Sequence, residues 1–374
     1  MGTTRRVCWH HLFPLLFLLV LPLSAIAQDY ESIRKHWLDS LRTATAEVLR
    51  DSIIRQDGDS MKMWWTTYGE KPADGRSLWI SLHGGGGTTP EVNDQQWRNQ
   101  MRLYRPDEGV YVAPRSPLEA WDMWCQQPID SMYRVLIRTM IAHHDVNPDK
   151  VYLLGYSAGG DGVWRMAPRM ADHWAAASMM AGHPGDVRLE NLLNTPFMIW
   201  CGANDAAYNR NKLDRERGLQ MDSLQQTQPD GYVHETHIME GKGHWMDRED
   251  AAALPWMAKY RRQAWPKHII WQQEAVLRPD FYWLSAPREE LKRGKRVDAK
   301  VEGNTINITR LDYSGLTLYL NDELVNLKKP VTVKLLGKKV FKGKLKPSSE
   351  VYRETLHLRQ DPRFAAPCKI TVKQ

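Results

Sequence analysis

Val151-Tyr152-Leu153-Leu154-Gly155-Tyr156-Ser157-Ala158-Gly159-Gly160 decides how this chain is read. An apolar run leads straight into Gly-x-Ser-x-Gly, and small residues able to begin a helix follow it. Strand, sharp turn with serine, and helix together make a nucleophile elbow. The glycines have a physical role. A serine held at the apex of so tight a turn sits in a strained backbone conformation, and side chains beside it would strike the neighbouring strand and helix. The pentapeptide alone also arises by chance in Gly/Ser loops. The run before it, and the partners found downstream, select Ser157 as a nucleophile.

A serine hydroxyl is inert at neutral pH without a base within hydrogen-bond reach, and the base needs an acid to orient it. In a doubly wound sheet such groups come from loops at the carboxyl ends of strands. Phe197 to Cys201 runs into Gly202-Ala203-Asn204-Asp205, which makes Asp205 the expected acid. Asp186, also past a strand candidate, is the fallback. Tyr232 to Met239 runs into Glu240-Gly241-Lys242-Gly243-His244, so His244 is the expected base. His183 comes too early in the chain, His237 lies inside a strand, and His143 and His144 near a helix end read as solvated. Asp161, one turn past Ser157, reads as a complement to the helix dipole. The order Ser157, Asp205, His244 is serine, acid, histidine.

Acyl transfer also needs amides aimed at a tetrahedral oxyanion. The stretch Leu82-His83-Gly84-Gly85-Gly86-Gly87 follows a strand and lets the main chain approach a substrate. Gly84 and Gly85 are the expected donors, with the N–H of Ala158, the residue after the nucleophile. A phosphate-cradling loop is disfavoured, because no Gly-Lys-Ser/Thr follows and the spacing is not G-x-G-x-x-G.

With 374 residues, 42% hydrophobic and 25% charged, the chain has the make-up of a globular protein of two to three domains. Arg5 and Arg6 precede an apolar core, Leu12 to Leu23, and Ser24-Ala25-Ile26-Ala27 resembles a cleavage site. Residues 1–27 therefore read as a signal peptide, with the mature chain starting at Gln28 and exported to the periplasm or secreted. The apolar core is about a dozen residues, short for a bilayer span, so no stable membrane insertion is expected after cleavage. Removing Arg5, Arg6 and no acid lowers the formal charge from +7 to +5. Much of the excess is in Lys328, Lys329, Lys334, Lys338, Lys339, Lys342, Lys344 and Lys346. Only Phe341 lies among them to stack on bases, so a nucleic-acid partner is not expected. They read as solvated strand lysines that discourage edge pairing. After the signal, Cys125, Cys201 and Cys368 remain, which is no disulfide framework. Export would permit one bridge; Cys201, ending an apolar run, reads as a buried thiol. No Cys/His spacing suggests a metal, and neither metal nor cofactor is expected.

Residues 28–58 form an N-terminal helical segment, with Ile33, Trp37, Leu41, Val48 and Ile53 near helical spacing over 28–54. From 59 to 265, strand candidates (61–68, 77–83, 109–113, the elbow strand, 174–180, 196–201, 232–239) alternate with helical stretches (91–104, 129–144, 208–226, 249–263). That alternation implies a doubly wound, mostly parallel sheet. Residues 266–289 read as a Trp/Pro-containing connector. Residues 290–374 read as a small all-β, sandwich-like domain, with short alternating runs at 305–308, 316–320, 331–335 and 355–358.

His83 to Gly87, Gly155 to Gly160, Gly202 to Asp205 and Gly243-His244 together resemble secreted α/β-hydrolases of the polyhydroxybutyrate-depolymerase-like, feruloyl-esterase-like and acetylxylan-esterase-like group. The resemblance covers about residues 60 to 265. It implies an α/β-hydrolase fold, with Ser157 as nucleophile, Asp205 as acid, His244 as base, and Gly84, Gly85 and Ala158 as oxyanion donors. The N-terminal helix, the connector and the β module depart from it, so no substrate is carried over. Among 16 tryptophans, Trp124 and Trp245 are candidate substrate contacts, able to stack on a sugar ring or an aromatic acyl group; packing of loops on the sheet is the plainer alternative. The chain thus reads as an exported serine hydrolase of carboxylic esters, with small-molecule or oligosaccharide esters as substrates. A serine peptidase on the same scaffold shares the triad. A glycan-binding protein with a vestigial triad is the reading from outside enzymology. Oligomeric state is not legible in the sequence.

Overall fold

A computed structural model describes residues 21–374, with side chains from residue 29 onward. Most of the expected signal peptide lies outside the described residues. Helix α1 (Leu21–Asp51) lays Ile33, Trp37 and Leu41 against the body of the protein. It stops short of Ile53, because Ser52 turns left-handed and begins a hairpin of β1 (Ile53–Gln56) and β2 (Asp59–Tyr68). The chain continues through β3 (Arg76–Leu82), α2 (Pro90–Leu103), β4 (Gly109–Pro114), α3 (Gln127–His144), β5 (Val146–Tyr156), α4 (Ala158–Arg169), β6 (Ala176–Met180), β7 (Phe197–Gly202), α5 (Arg210–Thr227), β8 (His234–Met239) and α6 (Ala253–Met257).

These strands form one eight-stranded sheet in the order β1-β2-β4-β3-β5-β6-β7-β8. The segment from β4 through β3 to β8 is parallel; β1 and β2 are antiparallel additions at one edge. Helical crossovers cover both faces. β4 lies on one side of β3 and β5 on the other, so chain order reverses there and the carboxyl ends of β3 and β5 open a crevice. This is an α/β-hydrolase sheet. Its inner strands are buried along almost their whole length, as parallel strands covered on both faces must be.

Two smaller sheets follow, built from β9 (His268–Gln272), β10 (Asp280–Phe281), β11 (Leu284–Ser285), β12 (Arg296–Glu302), β13 (Thr305–Leu311), β14 (Gly315–Leu320), β15 (Val331–Leu335), β16 (Lys338–Gly343) and β17 (Cys368–Lys373). Their orders are β10-β11-β14-β17 and β16-β15-β13-β12-β9, around one buried apolar cluster.

Several expectations need correction. Residues 266–289 are not a linker: β9, β10 and β11 come from them, and Trp271, Phe281 and Trp283 are core residues. Thr355 to Leu358 is not a strand but part of helix α7 (Ser349–Arg359). Its buried residues Tyr352, Thr355, Leu356 and Arg359 keep the helical period, and Ser348 Oγ caps it by accepting the Val351 N–H. The helix expected over 249–263 shrinks to a 3-10 turn and the five-residue α6. Beyond it Arg262 is drawn out of helical register by Asp149 and Asp361. His143 and His144 are half-buried: Nε2 of His143 is 3.0 Å from Thr45 Oγ1, and the His144 ring packs 4.3 Å from Trp65. Among the described residues no helix is long and apolar enough to cross a membrane.

The β module meets the hydrolase unit through buried charge. Asp172, fully buried between α4 and β6, accepts two hydrogen bonds from Arg278 (2.6 and 3.0 Å) and one from Arg359 (2.6 Å). Asp280 faces Arg359 and Arg134 at 3.2 and 3.0 Å. Burial pushes the Asp280 carboxyl up, but the surrounding guanidiniums outweigh it and hold it at about 2. Asp172 is held lower still by Arg278, Arg359 and its neighbours, against the same burial. Unfolded aspartates titrate near 3.9. The pairs therefore contribute stability fully present above that pH and lost as pH falls through the folded values. We expect Asp172→Ala, which leaves Arg278 and Arg359 to share the single buried carboxylate of Asp280, to cost about 3–5 kcal/mol. A thermal midpoint indistinguishable from wild type at pH 7 would contradict this.

Candidate active site

The crevice between β3 and β5 holds the residues singled out in the sequence. Ser157 joins β5 to α4 at φ 58°, ψ −123°, a conformation few non-glycine residues adopt. Its N–H donates to Met180 O on the next strand at 2.9 Å, which fixes the turn. The approach is so close that a Cβ on Gly159 would lie 2.2 Å from Leu82 O.

Nδ1–H of His244 donates to Asp205 Oδ2 at 2.7 Å, since a carboxylate can only accept. That leaves the Nε2 lone pair facing Ser157 Oγ, 2.9 Å away, so the hydroxyl donates to the imidazole. Asp205 is almost wholly buried at the end of β7, with Arg210 Nη1 3.7 Å from its other oxygen. The His244 loop follows β8 and is held by Tyr156, whose hydroxyl donates to His244 O at 2.5 Å and accepts the Met246 N–H at 3.2 Å.

The glycine loop lies across the serine. Gly84 stands beside it; a Cβ there would be 3.1 Å from Ser157 Cβ. Gly85 has φ 105°, and a Cβ would fall 2.0 Å from Asn93 Oδ1. Asn93, buried on α2, accepts the Gly86 N–H and donates to Gly86 O, both at 2.9 Å. The Gly86 amide is thus occupied; Gly84 and Gly85, the loop glycines that line the cleft beside Ser157, are the candidate donors. The Ala158 N–H, in the first turn of α4, has no intrahelical acceptor. Beneath the loop, the Ser116 N–H donates to His83 Nε2 at 3.1 Å, so Nδ1 carries the proton and donates to Gly84 O at 2.6 Å. Burial holds His83 down to about 3, partly opposed by the Gly84 carbonyl. A neutral ring is what this double role requires.

Trp124 does not reach the cleft. Its side chain is 0% exposed, its indole N–H donates to His83 O at 2.9 Å, and its ring packs edge-on to His83. Apolar bulk and a satisfied N–H make it a support for the glycine loop. Trp245 is 50% exposed and walls a cleft of roughly 500 Å³ together with Gln96, Asn99, Gln100, Leu103, Tyr156, His244, Ser157 and the first loop glycines. On the other side of the loop, Trp121 and Tyr208 are 65% and 60% exposed, their rings 5.9 Å apart. Tyr208 is held at φ 56° over the guanidinium of Arg210.

The rival residues are engaged elsewhere. Asp186 pairs with Arg165 and Arg293 on the surface. His237 stacks on Trp200. Asp161, mostly buried with its carboxyl pushed up by burial, accepts the His183 N–H at 2.6 Å, so it ties the β6 loop to α4 as well as occupying the helix start. Cys125, Cys201 and Cys368 are free thiols, and Cys201 is buried. Among the described residues no cluster of His, Cys, Asp or Glu has the geometry to hold a metal.

No protein-family model matches the chain, and a search of curated proteins finds no match. Solved structures do resemble it. A thermostable esterase has 17% identity and a TM-score of 0.43, covering 56% of this chain and 62% of its own, less than two thirds of that enzyme. An acetyl xylan esterase from Aspergillus awamori has 12% identity and a TM-score of 0.38, covering 55% of this chain and 97% of that one. A ferulic acid esterase has 15% identity and a TM-score of 0.35, covering 53% and 98%. The fold assignment rests on the strand order and crossovers described above, not on these likenesses.

Two outcomes follow from the glycine loop. Asn93→Ala releases Gly86 and should lower kcat/KM about 100-fold, the scale of a misplaced or lost donor; an unchanged kcat/KM would exclude the clamp. His83 is neutral when folded, whereas an unfolded histidine takes a proton near 6.5. Its contribution to stability is therefore complete above that pH and drains away as pH falls toward about 3. Between pH 7 and 4 the thermal midpoint of wild type should fall more steeply than that of His83→Gln.

Proposed function

We propose that this protein is an exported serine hydrolase that cleaves carboxylic esters through an acyl-enzyme. The observation that carries the reading is the alignment of Ser157 Oγ, His244 Nε2 and Asp205 Oδ2 in two hydrogen bonds, 2.9 and 2.7 Å, beside the glycine loop. Ser157 attacks the acyl carbonyl while His244 takes its proton. The oxyanion is met by the Ala158 amide and by Gly84 or Gly85. His244 then passes the proton to the leaving alcohol, and a water molecule repeats the sequence on the acyl-enzyme. Asp205 keeps the imidazole in the correct tautomer and stabilises its cation without taking the proton.

Esters on sugars are the substrates we favour. Gln96 and Asn99 offer amide donors and acceptors along one wall of the cleft, and Trp245 offers an exposed ring face on another. That is the chemistry of a hydroxylated ring, flat on one face and polar at its edge. Residues 1–27 as an export signal would bring the enzyme to the periplasm or outside the cell, where such polymers are met. N-terminal sequencing of the exported protein should begin at Gln28.

The test is Ser157→Ala, assayed on a short p-nitrophenyl ester and on acetylated and feruloylated oligosaccharides. Hydrolysis should drop by about 10⁴-fold or more, labelling by a fluorophosphonate should vanish, and the thermal midpoint should stay close to that of wild type, since alanine keeps the same Cβ at position 157. Full turnover by the variant would defeat the proposal. Faster cleavage of chromogenic peptides than of esters would move the assignment to a peptidase.

A further inference from the structure

The β module carries a feature that ester hydrolysis does not use. From Leu324 to Ser349 the sequence holds eight lysines and no acid. All eight are exposed, and the lysines of this module that do form ion pairs, Lys295, Lys300 and Lys369, lie outside the segment. Lys334 and Lys339 sit directly opposite each other across β15 and β16. Like charges in that position destabilise a strand pair. The charge is therefore held against the interest of the hairpin itself. β16 is also an edge strand, so its lysines meet no further strand.

The turn adds a second, independent observation. Leu336 and Gly337 form the two-residue link between β15 and β16, with φ 48° and 81°. A two-residue hairpin link with both φ positive favours Asn-Gly, not a bulky aliphatic residue in the left-handed region. Leu336 nevertheless occupies it with its side chain 58% exposed, and Val340, at the bulge of β16, is 44% exposed. Phe341, the aromatic residue of the strand, turns inward against the sandwich core. The outward surface thus combines aliphatic side chains at a protruding tip with a surrounding field of unpaired ammonium groups.

We propose that the β15–β16 hairpin is a docking surface for an anionic lipid bilayer. Leu336 and Val340 enter the headgroup boundary, and Lys338, Lys339 and Lys342 meet lipid phosphates. An aliphatic tip needs an apolar phase to receive it, and a lysine field needs anions; a bilayer of acidic phospholipids supplies both in one plane. An acidic polysaccharide supplies the charge alone, and the hairpin turns its only aromatic ring away from a sugar face. The contact is peripheral and does not span the membrane. Since Arg278 and Arg359 lock the module to Asp172, docking would also fix how the Ser157 cleft faces the surface. The proposal is independent of the esterase reading, because binding is measured without turnover.

The experiment is co-sedimentation of the full chain with vesicles of phosphatidylcholine, alone or mixed with phosphatidylglycerol. Pure phosphatidylcholine serves as the reference for any apolar contribution of the N-terminus. Wild type should bind the mixed vesicles more tightly, and added salt should weaken that difference. Lys338→Glu/Lys339→Glu/Lys342→Glu should reduce binding more than about tenfold, and Leu336→Asp/Val340→Asp should also release the protein. Both variants should keep the wild-type rate on a soluble ester; the Leu336/Val340 variant should keep the wild-type thermal midpoint, and the lysine variant should match or exceed it, because Lys339→Glu relieves the repulsion across from Lys334. Equal binding to both vesicle types would overturn the proposal. So would loss with the lysine variant but not with the Leu336/Val340 variant, which would mark a simple polyanion site. Retention on polygalacturonate without vesicle binding would assign the surface to acidic polysaccharide instead.

Discussion

Leu82 and Gly155 are partners across two neighbouring parallel strands, and just beyond that pair the chain leaves each strand in a different direction. One strand gives way to the glycine loop, the other to the strained serine and its helix. The two backbones then run so close that no side chain fits between them. The candidate site depends on this constraint. It holds Ser157 forward, presents the loop amides to the same space, and leaves later strands to bring further side chains to it. Asp205 and His244 come from the ends of β7 and β8, and Tyr156, the residue before the serine, reaches across to hold the histidine loop. The site is thus built from main-chain geometry first and side chains second.

A different principle joins the two halves. Apolar contact crosses the boundary, with Ile270 in the core of the larger unit and Ala171 in that of the sandwich. Beside it aspartates and arginines interlock in a region closed to water. Such pairs add less net stability than their number suggests, since each charge must be desolvated. What they add is geometry: a carboxylate gripped by two guanidiniums tolerates few relative orientations of the surfaces that carry them. The β module is therefore set at a defined angle to the cleft, and the former connector, woven into both small sheets, leaves no slack between them.

The candidate site was legible in the sequence because each of its parts follows a strand, and apolar runs ending in glycine-rich loops are local signals. Ser157, Asp205 and His244 lie within hydrogen-bond reach of one another, as their positions after successive strands suggested. Trp124 and Trp245 could not be told apart in this way. Both follow short loops near the site, and only packing reveals that one indole is covered by the glycine loop while the other faces water. Asn93 left no signal, since an asparagine on a polar helix face resembles any other until its loop is in place. Trp121 and Tyr208 were hidden for the opposite reason, because exposure of an aromatic is a property of the finished surface. Thr355 to Leu358 misled because four residues of alternating polarity satisfy a strand and a helix equally; the helix shows only when Tyr352 and Arg359 are counted with them.

The stacking of Tyr30 on Tyr352 has a consequence for biogenesis. Arg34 bonds to the same tyrosine, and 318 positions separate the two in the chain. An early helix is therefore matched to one made more than three hundred residues later. Until α7 arrives, Ile33 and Trp37 lack the cover of Tyr352 and Leu356, so this corner of the molecule closes only after the small sheets have largely been made.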